Sequence, residues 1–241
     1  DVPIGTALSG GLDSSAVFCS MLYLMKNGEF SSFLPRAFTA HYPGSDIDEL
    51  DWARLAVGDR QDLLNVVEVN PLDSKHTLEK ALYQVEDPYI TLPHPMFATY
   101  KAIKKSGISV TLDGHGADEM FSGYNDLFLA MLSLDTARLQ EVNSISESLN
   151  TGVMPVNISK FKLIGNALKA WFRFFARDAR DIFRKDKYLS HEDLLHPNYR
   201  RMSAFERRLY VIFHLTILPT LLRNYDRYSM AESVEVRMPF M

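Results

Sequence analysis

The sequence predicts an α/β fold: a doubly wound, mostly parallel sheet flanked by helices, followed by a helical C-terminal half. Short apolar runs typical of strands alternate with helix-like segments across residues 1–124, and this alternation indicates βαβ units joined in a parallel sheet. Beyond about residue 125 the strand signal fades and apolar residues recur at helical spacing. We therefore expect an α/β core over residues 1–124 and a mainly helical continuation of the same domain over 125–241.

Length and composition are those of an ordinary globular protein. The 241 residues correspond to one large domain or to one domain with a small appendage. A net charge of −4 argues against a general nucleic-acid binder, and no apolar run reaches the roughly 18 residues of a membrane span. The single cysteine, Cys19, excludes an intrachain disulfide and a cysteine-rich zinc site. We expect Cys19 to be a buried small residue on the first helix rather than a nucleophile.

Four strands are predicted in the first half, each from a short apolar run beside a turn signal. They cover residues 2–8, 36–42, 64–69 and 107–113. In such sheets ligands bind beyond the carboxyl ends of the strands. The unusual loops of this chain fall at those ends, over residues 9–15, 42–49, 87–95 and 113–119.

Helices are predicted from capping residues and helical spacing. The first follows the glycine-rich turn and ends at Asn27-Gly28, and the second is capped by Ser45 or Asp46 and ends near Gly58. Further helices are expected at about 75–85, 96–105, 161–187 and 204–222. The helix at 161–187 has one basic face, which we interpret as a solvated face rather than as a membrane-binding one.

The motif Ser9-Gly10-Gly11-Leu12-Asp13-Ser14-Ser15 predicts a phosphate site. It lies between a strand and a helix, where glycines let a phosphate approach the backbone and the helix N-terminus offers unpaired N–H groups. A carboxylate beside phosphates needs a cation, so Asp13 is predicted to bind magnesium. The alternative is a glycine-rich helix start with Asp13 in the first turn. The motif has no lysine, so it is not a Walker A loop.

A second motif, Asp113-Gly114-His115-Gly116-Ala117-Asp118-Glu119, follows the fourth strand and opens another helix. If the sheet is wound as expected, Asp118 and Asp13 lie at neighbouring strand ends and could share a magnesium ion with pyrophosphate oxygens. Taken alone, an acidic helix N-terminus that balances the helix dipole explains these carboxylates equally well.

The first motif resembles the pyrophosphate loop of the N-type ATP pyrophosphatases, whose sheet is of the adenine nucleotide α-hydrolase-like type. The stretch GADEMFSGY at 116–124 resembles one found in asparagine synthetases. The segment 218–240 resembles their L-P-x-x-L, D-R-x-S-M-A and E-x-R-x-P-F block. Because the three stretches occur in the expected order, the chain is identified as similar to the synthetase domain of the asparagine synthetase family.

The resemblance implies a cytoplasmic ligase that uses ATP and Mg²⁺ to activate a carboxylate as an acyl-adenylate, after which ammonia displaces AMP and an amide is formed. Aspartate is the favoured acceptor, and glutamine hydrolysis is expected to supply the ammonia. By position, Asp13 and Asp118 hold magnesium, and Asp118 and His115 are expected to be catalytic. The residues expected to bind ATP are Ala7, Leu8, Ser9, Gly10, Gly11, Asp13, Ser14, Ser15, Ala40, Asp113 and Gly114.

Two features depart from the family pattern. His115 stands where asparagine synthetases usually have glutamate, and it is either a base or a ring hydrogen-bonded within its loop. Both ends of the chain look cut, so we expect a glutaminase domain before Asp1 and the family's catalytic lysine after Met241. The expected partners are a small carboxylate, ammonia from that glutaminase domain and a second copy in a homodimer, but neither nucleic acid nor a membrane.

Two other functions stay open on the sequence. One is amidation of another carboxylate, such as a uronic acid in surface-polysaccharide biosynthesis, which His115 modestly favours. The other is a catalytically dead domain that binds a nucleotide or a partner. The intact motifs at 9–15 and 116–119 argue against this last reading.

Overall fold

The computed structural model describes residues 2–29, 34–70, 74–87, 93–123, 195–202 and 204–241. The chain divides into two compact units, one of Asp1–Ala117 with Thr216–Met241 and one of Asp118–Leu215. The predicted helix at 161–187 lies outside the described residues. The proposed division after residue 124 stays a prediction, because residues 124–194 lie outside the described part of the chain.

The first unit is built on a parallel sheet of five strands, counted over the described residues, with the order β3-β2-β1-β4-β5. The four predicted strands are present, and each lies within its predicted range, so the α/β prediction is confirmed. They are β1 (Ile4–Ala7), β2 (Arg36–His41), β3 (Leu64–Glu68) and β4 (Val110–Leu112).

The fifth strand, β5 (Glu235–Arg237), was not predicted. It pairs in parallel with β4, with Val110 opposite Glu235 and Leu112 opposite Arg237. The strand has only three residues, two of which are charged, so it lacks the apolar run by which strands are predicted from sequence. The strand therefore exists because the backbone of β4 offers it hydrogen-bond partners, a long-range condition that local sequence does not report.

Seven α-helices and two 3₁₀ turns occur in the described part of the chain. None of these helices has both the length and the apolar character needed to cross a membrane. The helices are α1 (Leu12–Lys26), α2 (Leu50–Val57), α3 (Ser74–Val85), α4 (Pro93–Lys105), α5 (Ala117–Phe121), α6 (Ala204–His214) and α7 (Ile217–Ala231), with 3₁₀ turns at Gln61–Leu63 and Tyr199–Arg201.

The second helix begins at Leu50, so the prediction that Ser45 or Asp46 caps it was wrong. The preceding residues form hydrogen-bonded turns: the Ser45 N–H donates to the Tyr42 carbonyl at 3.0 Å and the Asp48 N–H to the Ser45 carbonyl at 3.1 Å. Turn-forming residues compete with the helix for backbone hydrogen bonds. The predicted helix at 204–222 is likewise two helices, α6 and α7, which are separated near Thr216.

Helices cover both faces of the sheet in the first unit, as a doubly wound fold requires. Ala37 and Phe38 are neighbours in β2, so their side chains point to opposite faces, and each belongs to a different buried cluster. The cluster on one face takes Val17, Phe18 and Met21 from α1 and Ala53 and Val57 from α2. The other takes Ala81 and Val85 from α3, Phe97, Tyr100 and Ile103 from α4, and Tyr228 from α7.

Ion pairs join α7 and the residue after it to α3 and to the segment that follows α3. Arg223 donates to the Asp87 carboxylate at 2.8 Å, and Lys80 forms an ion pair with Glu232. Both pairs are partly exposed, so each contributes little by itself. Buried side chains of α7, including the fully buried ring of Tyr228, therefore contribute more than these pairs to holding the helix in place.

Cys19 is exposed, so the expectation that it is buried was wrong. Helix α1 turns Phe18 and Met21 towards the sheet. Cys19 and Ser20, which lie between them, face outwards because successive helical residues are rotated by about 100°. The Cys19 Sγ lies 3.7 Å from the Ala56 carbonyl oxygen.

The described part of the second unit includes α6, which packs against the 3₁₀ turn at Tyr199–Arg201. The Tyr210 hydroxyl accepts a hydrogen bond from the His196 N–H at 3.0 Å. The rings of Tyr199 and Tyr210 meet edge to face, with centroids 5.5 Å apart. These contacts hold the second half of α6 against the turn that precedes the helix.

Replacing Phe18 by alanine should destabilise the first unit by about 3–5 kcal/mol, because the buried ring leaves a cavity. The matched control is Tyr23→Ala on the exposed side of the same helix, where 65% exposure predicts a change below about 0.5 kcal/mol. Urea unfolding monitored by circular dichroism measures both free energies of unfolding. Equal losses in the two variants would contradict the assigned buried face of α1.

Candidate active site

The candidate site lies where the chain leaves the carboxyl ends of β1 and β4. Strand β1 is central, and its connection leads to β2 on one side, whereas β4 lies on its other side. Oppositely directed connections leave a crevice between two such strands, and this is where open α/β sheets bind ligands. The two sequence motifs, 9–15 and 113–119, follow these two strands.

The loop after β1 is held in shape by its own hydroxyl groups. Ser9 Oγ accepts the Gly11 N–H at 3.2 Å and lies 3.0 Å from Ser14 Oγ, and Ser14 Oγ lies 3.3 Å from the Gly11 carbonyl oxygen. The N-cap residue of α1 is Gly11, which has no side chain to cap the helix. The first N–H groups of α1 therefore depend on groups other than an N-cap side chain.

Two features of this loop would suit a phosphate group. The start of α1 has no side-chain cap, so its N–H groups and the helix dipole favour an anion. The Ser15 hydroxyl, in the first turn of the helix, is buried and has no hydrogen-bond partner among the described residues. A buried hydroxyl without a partner is destabilising, and an added acceptor would relieve that cost.

Glycine is required at position 10 for two reasons. Its φ of +82° lies in the left-handed region, and a Cβ there would lie 2.5 Å from the Trp52 Cβ and would overlap the backbone of Trp52 and Ala53. The loop after β1 is therefore packed directly against the first turn of α2. A larger residue would have to displace that helix.

Gly114 brings the two motifs into contact. A Cβ at Gly114 would lie 2.7 Å from the Ser14 nitrogen and 2.8 Å from the Asp13 carbonyl carbon. The loop after β4 therefore rests on the first turn of α1, an approach that only glycine allows. The predicted ATP-binding residues Asp13, Ser14 and Gly114 meet at this point.

Asp113 is buried and its carboxylate is used within the protein. Asp113 is 1% exposed; Oδ1 accepts the Ala7 N–H at 2.9 Å, and Oδ2 accepts the Tyr100 hydroxyl at 3.0 Å. Burial raises the pKa of Asp113, and the nearby charge of His115 and these hydrogen bonds partly offset that effect. Burial likewise raises the pKa of Tyr100 well above its usual value.

Ala7, Leu8 and Ala40 frame the same strand ends. Leu8 is 1% exposed; its side chain lies in the buried cluster, its N–H donates to the Phe38 carbonyl at 2.8 Å and its carbonyl accepts the Thr39 hydroxyl. Ala40 is half-buried in β2. Their predicted role towards ATP stays a prediction, and for Leu8 the side chain faces the core.

His115 lies against an aromatic ring that the sequence did not single out. The centroids of His115 and Tyr225 are 3.8 Å apart and their planes meet at 36°. His115 is half-buried between Gly114 and Gly116, and a Cβ at Gly116 would lie 2.8 Å from the Met241 Sδ. The loop after β4 is therefore enclosed by residues from the C-terminal segment.

Asp118 belongs to the second unit, so its predicted sharing of magnesium with Asp13 stays a prediction. Its backbone carbonyl accepts the Gly123 N–H at 3.0 Å, and its carboxylate lies directly over Gly123. Over the described residues, no three His, Cys, Asp or Glu side chains are grouped so that they could hold a metal. Two carboxylates with phosphate oxygens are a usual magnesium environment, in which the protein supplies few ligands.

His41 has a structural contact and lies in neither of the two motifs. Its Nδ1 lies 2.8 Å from Asp48 Oδ2, and Asp48 Oδ1 accepts the Tyr42 N–H at 3.1 Å. Partial desolvation raises the pKa of Asp48, but the hydrogen bonds from Tyr42 and His41 outweigh it, and the net pKa is lowered. These contacts of Asp48 fix the turn between β2 and α2.

The sequence model of the family described as asparagine synthase matches residues 1–241. The chain belongs to the asparagine synthase family. It is 27% identical to the glutamine-hydrolyzing asparagine synthetase 1 of Bacillus subtilis, over an alignment that covers 100% of this chain and 39% of that protein. The resemblance recognised from the two motifs and the C-terminal block is thereby confirmed.

Other relatives match about half of the chain. A glutamine-hydrolyzing asparagine synthetase 3 of Arabidopsis thaliana is 33% identical over 52% of this chain and 22% of its own length. Amidase chry2 of Gibberella zeae is 32% identical over 52% of this chain and 20% of its own length. The chain spans about two fifths of the length of the asparagine synthetases that match all of it.

Gly114→Ala should weaken ATP binding about tenfold or more, because the added methyl group pushes the β4 loop off the first turn of α1. Gly28→Asn is the matched control: Gly28 has a φ of +72°, which asparagine tolerates, and open space around it. Isothermal titration with ATP measures both affinities. Unchanged affinity in the Gly114 variant would contradict a phosphate site at this contact.

Asp113→Asn should gain stability relative to the unsubstituted protein as the pH rises. Because burial raises the pKa of Asp113, its contribution is full below its unfolded pKa of about 4 and is lost as the pH rises through the folded pKa. Asparagine keeps an acceptor for the Ala7 N–H and cannot ionise. Urea midpoints of the variant and of the unsubstituted protein, measured between about pH 4 and pH 8, test this. A variant midpoint that falls relative to that of the unsubstituted protein as the pH rises would contradict the raised pKa.

Proposed function

We propose that this chain is the synthetase part of an enzyme that amidates a carboxylate with ATP, with aspartate as the first acceptor. The acceptor's carboxylate oxygen attacks the α-phosphorus of ATP, the bond between the α and β phosphates breaks, and pyrophosphate leaves. Ammonia then attacks the acyl carbon, loses a proton, and AMP leaves. The contact of Gly114 with the first turn of α1 is the observation that carries the proposal, because it joins the two motifs at the crevice.

The chain's own residues support the first step in distinct ways. Backbone N–H groups at the start of α1 and the buried Ser15 hydroxyl offer donors to phosphate oxygens. Asp13 and Asp118 would hold Mg²⁺, which spreads the charge that develops on pyrophosphate. Asp113 holds Ala7 and Tyr100 in place, and its carboxylate therefore positions the strand end that precedes the phosphate loop.

The ammonia would come from a glutaminase domain, as in the relatives that are named glutamine-hydrolyzing. We propose such a domain on the full-length protein and a cytoplasmic location for the enzyme. A second acceptor class, such as a uronic acid, is favoured by one observation. His115 places an imidazole, not a carboxylate, in the loop after β4, so an anionic acceptor would meet no fixed negative charge from this position.

The full-length protein should catalyse exchange between ATP and labelled pyrophosphate that depends on an added carboxylate. We expect exchange with aspartate in a panel that also contains glutamate and uronic acids. Asp118→Asn should raise the barrier by an amount on the order of several kcal/mol while leaving the fold intact. Asp62→Asn, at an exposed carboxylate paired with Arg60, is the control and should leave exchange unchanged.

Two results would overturn the proposal of amidation through an acyl-adenylate: exchange that needs no carboxylate, and the absence of exchange with every carboxylate of the panel. Normal exchange in the Asp118 variant would contradict only the proposed magnesium role of Asp118.

A further inference from the structure

His115 sits in a part of the chain with little side-chain bulk to restrain it. It is flanked by Gly114 and Gly116, and Gly116 has a φ of +95°. A side chain between two glycines has few restraints from its own loop, because neither neighbour carries a Cβ. Its direction must therefore depend on contacts with other elements.

The ring of Tyr225 supplies such a contact. It comes from α7, far away in the sequence, and lies with its centroid 3.8 Å from that of the imidazole at an interplanar angle of 36°. A centroid distance this short means that one ring covers much of the face of the other. Tyr225 thus limits both the rotation of the imidazole and its access from that side.

Tyr225 is itself held firmly. It packs against the buried cluster that contains Tyr100, Ile103 and Tyr228. Helix α7, which carries it, is joined to the rest of the unit by the ion pair of Arg223 with Asp87. A ring fixed from behind by the core is suited to fix the ring in front of it.

We propose that Tyr225 is a positioning residue for His115, and that the stacked pair sets which acceptor carboxylates the domain accepts. The inference rests on the proposed amidation and deepens it. His115 follows Asp113 and Gly114 at the carboxyl end of β4, beside the first turn of α1, so the imidazole borders the crevice in which the acceptor meets the nucleotide. Tyr225 sets the orientation of the imidazole, and this orientation then decides which polar groups of an acceptor the imidazole nitrogens can contact.

The contact itself can be tested without any activity. In the full-length protein, the His115 imidazole protons should show an upfield ring-current shift in proton NMR spectra, assigned by their loss in His115→Gln. The shift should persist in Tyr225→Phe, which keeps the ring, and should vanish in Tyr225→Leu. A shift that survives in Tyr225→Leu would overturn the positioning role.

The consequence for the acceptor is tested by carboxylate-dependent pyrophosphate exchange in the same variants. Tyr225→Leu should raise the KM for the acceptor about two- to tenfold, the range expected for loss of an aromatic pair, with the KM for ATP unchanged. Tyr225→Phe, which keeps the aromatic ring, should have the same acceptor KM as the unsubstituted protein. Tyr83→Leu, at a tyrosine that is 80% exposed on α3, is the control for loss of an aromatic ring elsewhere.

A double-variant comparison separates positioning from general damage. If Tyr225 acts through His115, Tyr225→Leu should have no further effect on the acceptor KM in a His115→Gln background. Independent effects, or equal increases in the KM values for ATP and acceptor, would overturn the proposal. If no carboxylate supports exchange in the unsubstituted protein, the proposed function fails and acceptor selection fails with it, whereas the NMR shift still decides whether Tyr225 positions His115.

Discussion

The buried carboxylate of Asp113 is the constraint on which the rest of the site depends. It extends the pairing of β1 with β4 beyond their last backbone partners by accepting the Ala7 N–H, and it joins both strands to α4 through the Tyr100 hydroxyl. A charged group so deeply buried is tolerated only when it is well hydrogen-bonded. Together with the backbone pairing of β1 and β4, this group sets the spacing of the two strand ends.

The two glycine-rich loops can meet only because that spacing is fixed. Gly114 rests on the first turn of α1, and Gly10 rests on α2, so both loops are held against helix backbones rather than against side chains. Backbone-to-backbone contacts leave little freedom for adjustment, since no rotamer can change to accommodate a shift. The start of α1 is consequently held by close backbone contacts, as expected for a site that must orient charged groups.

The sequence predicted the parts of this arrangement that are local. The apolar runs of β1 to β4 and the glycine pattern at 9–15 are properties of adjacent residues, and these elements were found where expected. Tyr225 and β5 were missed because each owes its role to a partner far away in the chain. Tyr100 was missed because only the packing of α4 against the sheet brings its hydroxyl to Asp113. The start of α2 was misplaced because the carboxylate of Asp48 bonds back to His41 and Tyr42, a competition that capping rules do not include.

The position of β5 has a consequence for how the protein folds during synthesis. Strand β4 has one neighbour, β1, that precedes it in the chain and another, β5, that is made only after the whole of the second unit has been synthesised. Pairings so distant in sequence are slow to form, because a long loop must close before they contribute. Until α7 is made, the sheet face that receives Tyr228 is covered only in part, by α3 and α4. A nascent chain of this protein therefore exposes part of an apolar sheet face until α7 has been synthesised, and a surface exposed in this way is prone to aggregation.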